Sequence, residues 1–161
     1  MKQVLRCILI LSAVWGFSAK SELRIEVTKG VDNAVRVAVV PFEWHGRGKL
    51  HQEIAEIVNS DLRLSGRFHA LPVEQMLSLP NRVDEIFFRD WRLLNIDYLV
   101  IGSLESTGQG IKLQFELINV FKQSVEASLT IVGGEHEIRD MSHYVSDVVF
   151  EKLTGIEGAF S

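Results

Sequence analysis

Cysteine is almost absent from this chain. Among 161 residues there is one, Cys7. Arg6 precedes it and an apolar run follows it, whereas a lipid-attachment cysteine follows small residues at the end of such a run. A long hydrophobic stretch is absent too. Residues 7–17 are apolar apart from Ser12 and Gly16, which is short of the roughly 20 residues a permanent bilayer-spanning helix needs. There is no cationic excess: 17 Lys plus Arg face 21 Asp plus Glu, a net charge of −4. That balance argues against nucleic acid and anionic lipid surfaces as partners. Internal repeats and low-complexity segments are missing, and no serine sits in a nucleophile-elbow pattern.

What is present begins with a leader. Lys2 and Arg6 give a positive start, the apolar run follows, and Ala19-Lys20-Ser21 places small residues where a signal peptidase reads, with Glu22 next. Residues 1–21 are therefore expected to be a secretory signal peptide cut after Ser21. Cleavage removes Cys7, and with it disulfides, thiol catalysis and cysteine-ligated metal. It also removes Lys2, Arg6 and Lys20 but no acid, leaving 14 basic against 21 acidic residues and a net charge of −7. That suits solubility and a basic partner. The 140 residues left of 161 are enough to bury about two thirds of their unfolded surface in one domain.

Residues 22–28 alternate strictly. Leu23, Ile25 and Val27 point one way; Glu22, Arg24, Glu26 and Thr28 point the other. This is the pattern of a half-buried strand. Lys29-Gly30-Val31-Asp32-Asn33 separates it from residues 36–42, Arg-Val-Ala-Val-Val-Pro-Phe, a run apolar on both faces and closed by Pro41. That run and residues 97–103, Asp-Tyr-Leu-Val-Ile-Gly-Ser, are expected to be neighbouring central strands covered by helices. An amphipathic helix is expected over 50–64, with Ile54, Ile57, Val58, Asp61 and Leu62 near one face and Gly66 as its C-cap. A short strand follows at 67–71, and one or two helical turns start at Pro72. The spacing of Ile86, Phe87, Trp91 and Leu94 predicts a second amphipathic helix over 83–94, capped by Asn81 and ended by Asn95. Residues 107–110 make a hairpin turn, strands are expected at 111–120 and 124–132, and a last helix runs over 136–153. The fold class is α/β or α+β: a mixed sheet of five to six strands with two to three helices packed on it.

The constellations that might carry chemistry are thin. Asp140, His143 and Asp147 share a helical face near His136, which would suit a metal ion. No ligand triplet there has a familiar spacing, so a solvated polar face is the better reading. Gly46-Arg47-Gly48 before a helix has the look of a phosphate loop but lacks the third glycine and the Lys-Ser/Thr ending. Glu43 and Glu105 follow central strands and offer an acid–base pair. His45, His51 and His69 read as surface residues. Trp91 fits a core face; Trp44, in the 42–48 loop, reads as a core lid or an interface anchor. A small-ligand or enzymatic domain would use that loop, Glu43, Arg47 and Glu105 at the C-terminal strand ends.

Taken together, five stretches resemble the N-terminal domain of the TolB family, periplasmic proteins of the Tol–Pal system of envelope integrity and cell division. They are Glu-Leu-Arg-Ile-Glu-Val-Thr-Lys-Gly-Val-Asp (22–32), Val-Ala-Val-Val-Pro-Phe-Glu-Trp (37–44), Asp-Leu-Arg-Leu-Ser-Gly-Arg-Phe (61–68), Trp-Arg-Leu-Leu-Asn-Ile-Asp-Tyr-Leu-Val-Ile-Gly (91–102) and Val-Phe-Glu-Lys-Leu-Thr-Gly-Ile-Glu-Gly-Ala-Phe (149–160). More distant envelope proteins, such as the curli-secretion family, share the second and fourth and offer an oligomeric alternative. The TolB resemblance implies a non-enzymatic interaction module without cofactor or metal, located in the periplasm. It implies a domain over 34–155 and a linker over 156–161 leading to a six-bladed propeller, expected to be absent here, which in the family carries most of the surface for Pal. It also implies that residues 22–33 bind TolA, and a monomer is expected. Burying Leu23, Ile25 and Val27 on the domain would contribute about 1.5–3 kcal/mol each, while ordering some twelve residues costs about 1–2 kcal/mol apiece. Such a segment is expected to switch between its own domain and a partner.

Overall fold

The computed structural model describes residues 34–49, 54–158 and 160. The organising pair is β1 (Val35–Val39) and β4 (Tyr98–Thr107), which lie side by side in parallel, Val37 opposite Tyr98 and Val39 opposite Val100. These are the two apolar runs of the sequence, and they are buried on both faces because helices cover both. Val37, Val39 and Val100 face one side; Ala38, Leu99 and Ile101 face the other, and all are fully buried.

The order across the mixed six-stranded sheet is β3-β1-β4-β5-β6, with β2 also on β4. β3 is Phe68–Ala70, parallel to β1. β5 (Gly110–Asn119) and β6 (Ser124–Gly133) continue from β4 as an antiparallel meander. The turn after β4 is the expected one, and Gln123, at φ 55°, takes the left-handed conformation in the second turn. Helix α1 (Ile54–Leu64) and helix α3 (Ile138–Thr154) pack on the first face through Ile54, Val58, Leu62, Met141, Val145 and Val149. Among the described residues the second face is covered at one end only, by 3₁₀ turns at Val73–Gln75 and Val83–Glu85 and the short helix α2 (Phe88–Leu93), whose Trp91 is 1 % exposed. This is an α+β fold. No helix among the described residues is long and apolar enough to cross a membrane.

Two local expectations are corrected. The first is the loop at 42–48: residues Glu43–His45 form strand β2, parallel to β4, with Glu43 opposite Ser103. From Val39 to Glu43 the chain advances four residues while β4 advances three, from Val100 to Ser103. The extra residue is a bulge at Pro41, which has no N–H to give the ladder. It reverses the alternation, so that Phe42 and Trp44 face the same core as Val37 and Val39.

The second is the helix over 83–94, which is broken. Ile86 is extended (φ −80°, ψ 114°) between the 3₁₀ turn and α2. A continuous helix would press Phe87 onto the sheet beside Ile86; the break leaves Ile86 buried and turns Phe87 out, 70 % exposed. Nor does the Asn81 side chain cap it. The Glu85 carboxylate accepts from the backbone N–H groups of Asn81 and Arg82, at 3.0 and 3.3 Å.

The meander packs so closely that Gly102 admits no side chain: a Cβ there would run into the Gln114 carbonyl and the Phe42 ring. Gly102→Ala is expected to lower stability by about 1–3 kcal/mol, read as a fall in the urea unfolding midpoint. An unchanged midpoint would contradict this packing.

Candidate functional site

The segment singled out in the sequence, residues 22–33, and the leader before it lie outside the described residues; so does His51. What the structure places is the root of that segment. Val35 N–H donates to the Arg67 carbonyl at 3.0 Å, which anchors the start of β1 to the approach to β3. Ala34 and Val35 border an open recess of about 510 Å³ with Gly66, Arg67, Leu153 and Thr154. The end of α3 therefore lies at the same pole as the start of β1.

Beyond α3 the chain turns back. Gly155, at φ 70°, is its left-handed C-cap, with its N–H on the Glu151 carbonyl at 2.8 Å. Phe160 then docks on the helix. Its N–H donates to Asp147 Oδ1 at 2.8 Å, and its ring meets Phe150 edge-on at 5.6 Å, with Phe68 6.0 Å beyond. Gly158 lies so close to Asp147 that a Cβ would overlap it.

The candidates for chemistry are dispersed. Glu43 sits beside His45 Nε2 at 3.2 Å, and Glu105 beside Lys112 Nζ at 3.4 Å. Each carboxylate has a separate nitrogen partner. Trp44 is half-buried on the core, its Nε1–H donating to the Gly48 carbonyl at 3.1 Å, and Gly46 is pressed against its ring. That makes Trp44 a lid on the core. His69 and His136 are exposed. Arg82 pairs with Asp84, and the side-chain hydrogen bond between them holds the Asp84 carboxyl below its usual range. Among the described residues no three His, Asp or Glu side chains are grouped to hold a metal ion.

One polar cluster went unread in the sequence. Asp61 stands on the core side of α1, and its Oδ2 accepts from Ser146 Oγ at 2.7 Å and lies 2.8 Å from His143 Nδ1, both on α3. The set has the composition of a catalytic triad, but the carboxylate sits between the other two. The serine hydroxyl faces the acid and no base takes its proton, so the arrangement clamps two helices rather than activating a nucleophile. The available signal was an acid at a core-facing helical position, which a buried partner must satisfy.

Comparison with known proteins gives this geometry a family. The TolB amino-terminal domain matches residues 23–125. The chain belongs to the TolB amino-terminal domain family. Relatives named Tol-Pal system protein TolB include that of Pseudomonas fluorescens Pf-5, 41 % identical over 162 residues and all of this chain, and that of Pseudomonas syringae pv. tomato, 42 % identical over 143 residues and 89 % of it. The chain spans only 37 % and 33 % of their lengths. The crystal structure of TolB from Acinetobacter baumannii is similar with a TM-score of 0.66 at 30 % identity, over 78 % of this chain and 29 % of that one. The LpoB C-terminal domain from Salmonella enterica shares the fold, with a TM-score of 0.53 at 15 % identity over 63 % of this chain and 84 % of that one.

If Asp61 clamps α1 to α3, Ser146→Ala leaves a buried carboxylate short of a donor and is expected to cost about 1–3 kcal/mol. Tyr144→Ala, on the exposed side of the same helix, is expected to stay within about 0.5 kcal/mol. Equal urea midpoints for the two variants would refute the clamp.

Proposed function

We propose that this domain is an interaction module of the Tol–Pal envelope system, and that residues 22–33 are its recognition strand for TolA. The observation that carries the reading is family membership over residues 23–125, joined to the position of the segment's root. The described residues form a two-faced core from 35 to 153, and Ala34 and Val35, which follow the segment in sequence, lie at an open pole. A strand attached in this way can offer its backbone and its row of Leu23, Ile25 and Val27 to another sheet. The leader at 1–21 then places the processed chain in the periplasm. We read the module as non-enzymatic; the Asp61 clamp and the separately paired Glu43 and Glu105 favour that reading. Pal, held in the family largely by the propeller, is left to the part of the relatives that this chain does not span.

The test is deletion of residues 22–33. Binding to purified TolA, followed by calorimetry, is expected to disappear while the circular dichroism spectrum stays folded. Undiminished binding would overturn the assignment. N-terminal sequencing of the chain secreted from a Gram-negative host is expected to begin at Glu22; a blocked or intact Met1 would overturn the leader.

A further inference from the structure

Strand β6 has β5 on one side and, among the described residues, no strand on the other. Its ten residues, Ser124–Gly133, hold one charge, Glu126, and neither lysine nor proline. Folded proteins normally blunt so long an edge with lysine, proline, a short strand or a covering element, because a row of unpaired N–H and C=O groups invites another strand. Among the described residues the devices here are Glu126 and the irregularity opposite Leu117 and Ile118, both near one end.

The two faces beside this edge differ. On the first, Ala127, Leu129 and Ile131 are half-buried against the core. On the second, left open where the turns and α2 stop, lies a cavity of about 260 Å³ bordered by Asn81, Arg82, Ser103, Gln114, Glu116 and Thr130. Thr130 Oγ1 accepts from Gln114 Nε2 at 3.5 Å, but two other acceptors lack such a partner. Asn81 Oδ1 is buried without a hydrogen-bond partner among the described residues. Glu116 has no cation partner among them either, and the guanidinium of Arg82 is taken by Asp84 and Glu85. A buried carbonyl and a carboxylate in one recess ask for a donor carrying positive charge.

We propose that the outer edge of β6 and this recess form one docking surface for an extended protein segment that alternates apolar and basic residues. The segment adds as a seventh strand to β6. Its apolar side chains extend the row of Ala127, Leu129 and Ile131; its basic side chains fall on the opposite face. Glu116, on β5, lies two strand spacings from the added strand, about 10 Å, a gap that a lysine and a glutamate side chain span together. The negative net charge of the chain favours the same partner. The root of residues 22–33, at Val35 on β1, is separated from β6 by β4 and β5 in the sheet.

The probe is a pair of labelled ten-residue peptides, one alternating Val and Lys, the other Val and Glu, titrated with the full chain at low salt and read by fluorescence anisotropy. The Val/Lys peptide is expected to bind at least tenfold more tightly than the Val/Glu peptide and to slow amide exchange across residues 124–133. Glu116→Gln is expected to weaken it at least threefold, and Val132→Lys, on the exposed side of the edge, at least tenfold, with both variants melting like the parent. Equal binding of the two peptides, or of the Val/Lys peptide to parent and Glu116→Gln, would overturn the proposal. So would protection of 124–133 in the free chain that grows with protein concentration, which would assign the edge to a second copy. Binding gained only after deletion of residues 22–33 would overturn it as well, in favour of the chain's own segment.

Discussion

The rest of the fold depends on the parallel pairing of β1 with β4. These strands carry Val37, Ala38 and Val39 against Leu99, Val100 and Ile101, and none of the six side chains keeps contact with water. A strand buried on both faces needs cover on both, and the remaining elements follow from that requirement. Helices α1 and α3 supply one cover. The 3₁₀ turns and α2, anchored by Ile86 and Trp91, supply the other. The second cover is shorter than the sheet. Where it ends, the strands become polar on that face, with Ser103, Gln114, Glu116, Ser128 and Thr130 in place of Leu99, Ile101 and Ile118.

Pro41 links this core to its rim. A missing N–H breaks the ladder, one extra residue is inserted, and the chain regains β4 with its alternation reversed. Trp44 then closes the same core that Val37 and Val39 begin. The opposite pole gathers the chain's comings and goings: Val35 enters beside Arg67, α3 ends next to it, and Phe160 is pinned back on Asp147 and Phe150. A domain arranged this way keeps its core at the centre of the sheet and offers its attachments at one end. The root of the proposed recognition segment, on β1, and the outer edge of β6 belong to different strands of the sheet.

Much of this was legible in the residues. The two Val-rich runs, the alternation of β5 and β6, the glycine and asparagine stops and the apolar faces of α1 and α3 all follow from local periodicity. What stayed hidden depended on partners distant in sequence. Three residues at 43–45 are too few to announce a strand, and β2 exists because Ser103, Leu104 and Glu105 lie alongside. Residues 83–94 carry a helical period, yet the sheet takes Ile86 and Trp91 and refuses Phe87. Asp61 looked like a polar interruption of an apolar face until α3, some eighty residues on, brought Ser146 and His143 to it. As for the candidate site, the alternation of residues 22–28 is plain in the sequence. Which sheet such a strand joins is a matter of intermolecular pairing, which local pattern does not encode.

Native-state hydrogen exchange tests the central claim most directly. If the β1–β4 pair holds the fold, the amides of Val37, Ala38, Val39, Leu99, Val100 and Ile101 exchange only through global unfolding, and their opening free energies converge on the denaturant value. Those of β6, with one neighbouring strand among the described residues, then open at lower cost. Exchange of the β1 amides through a partial opening that leaves β6 protected would contradict the account.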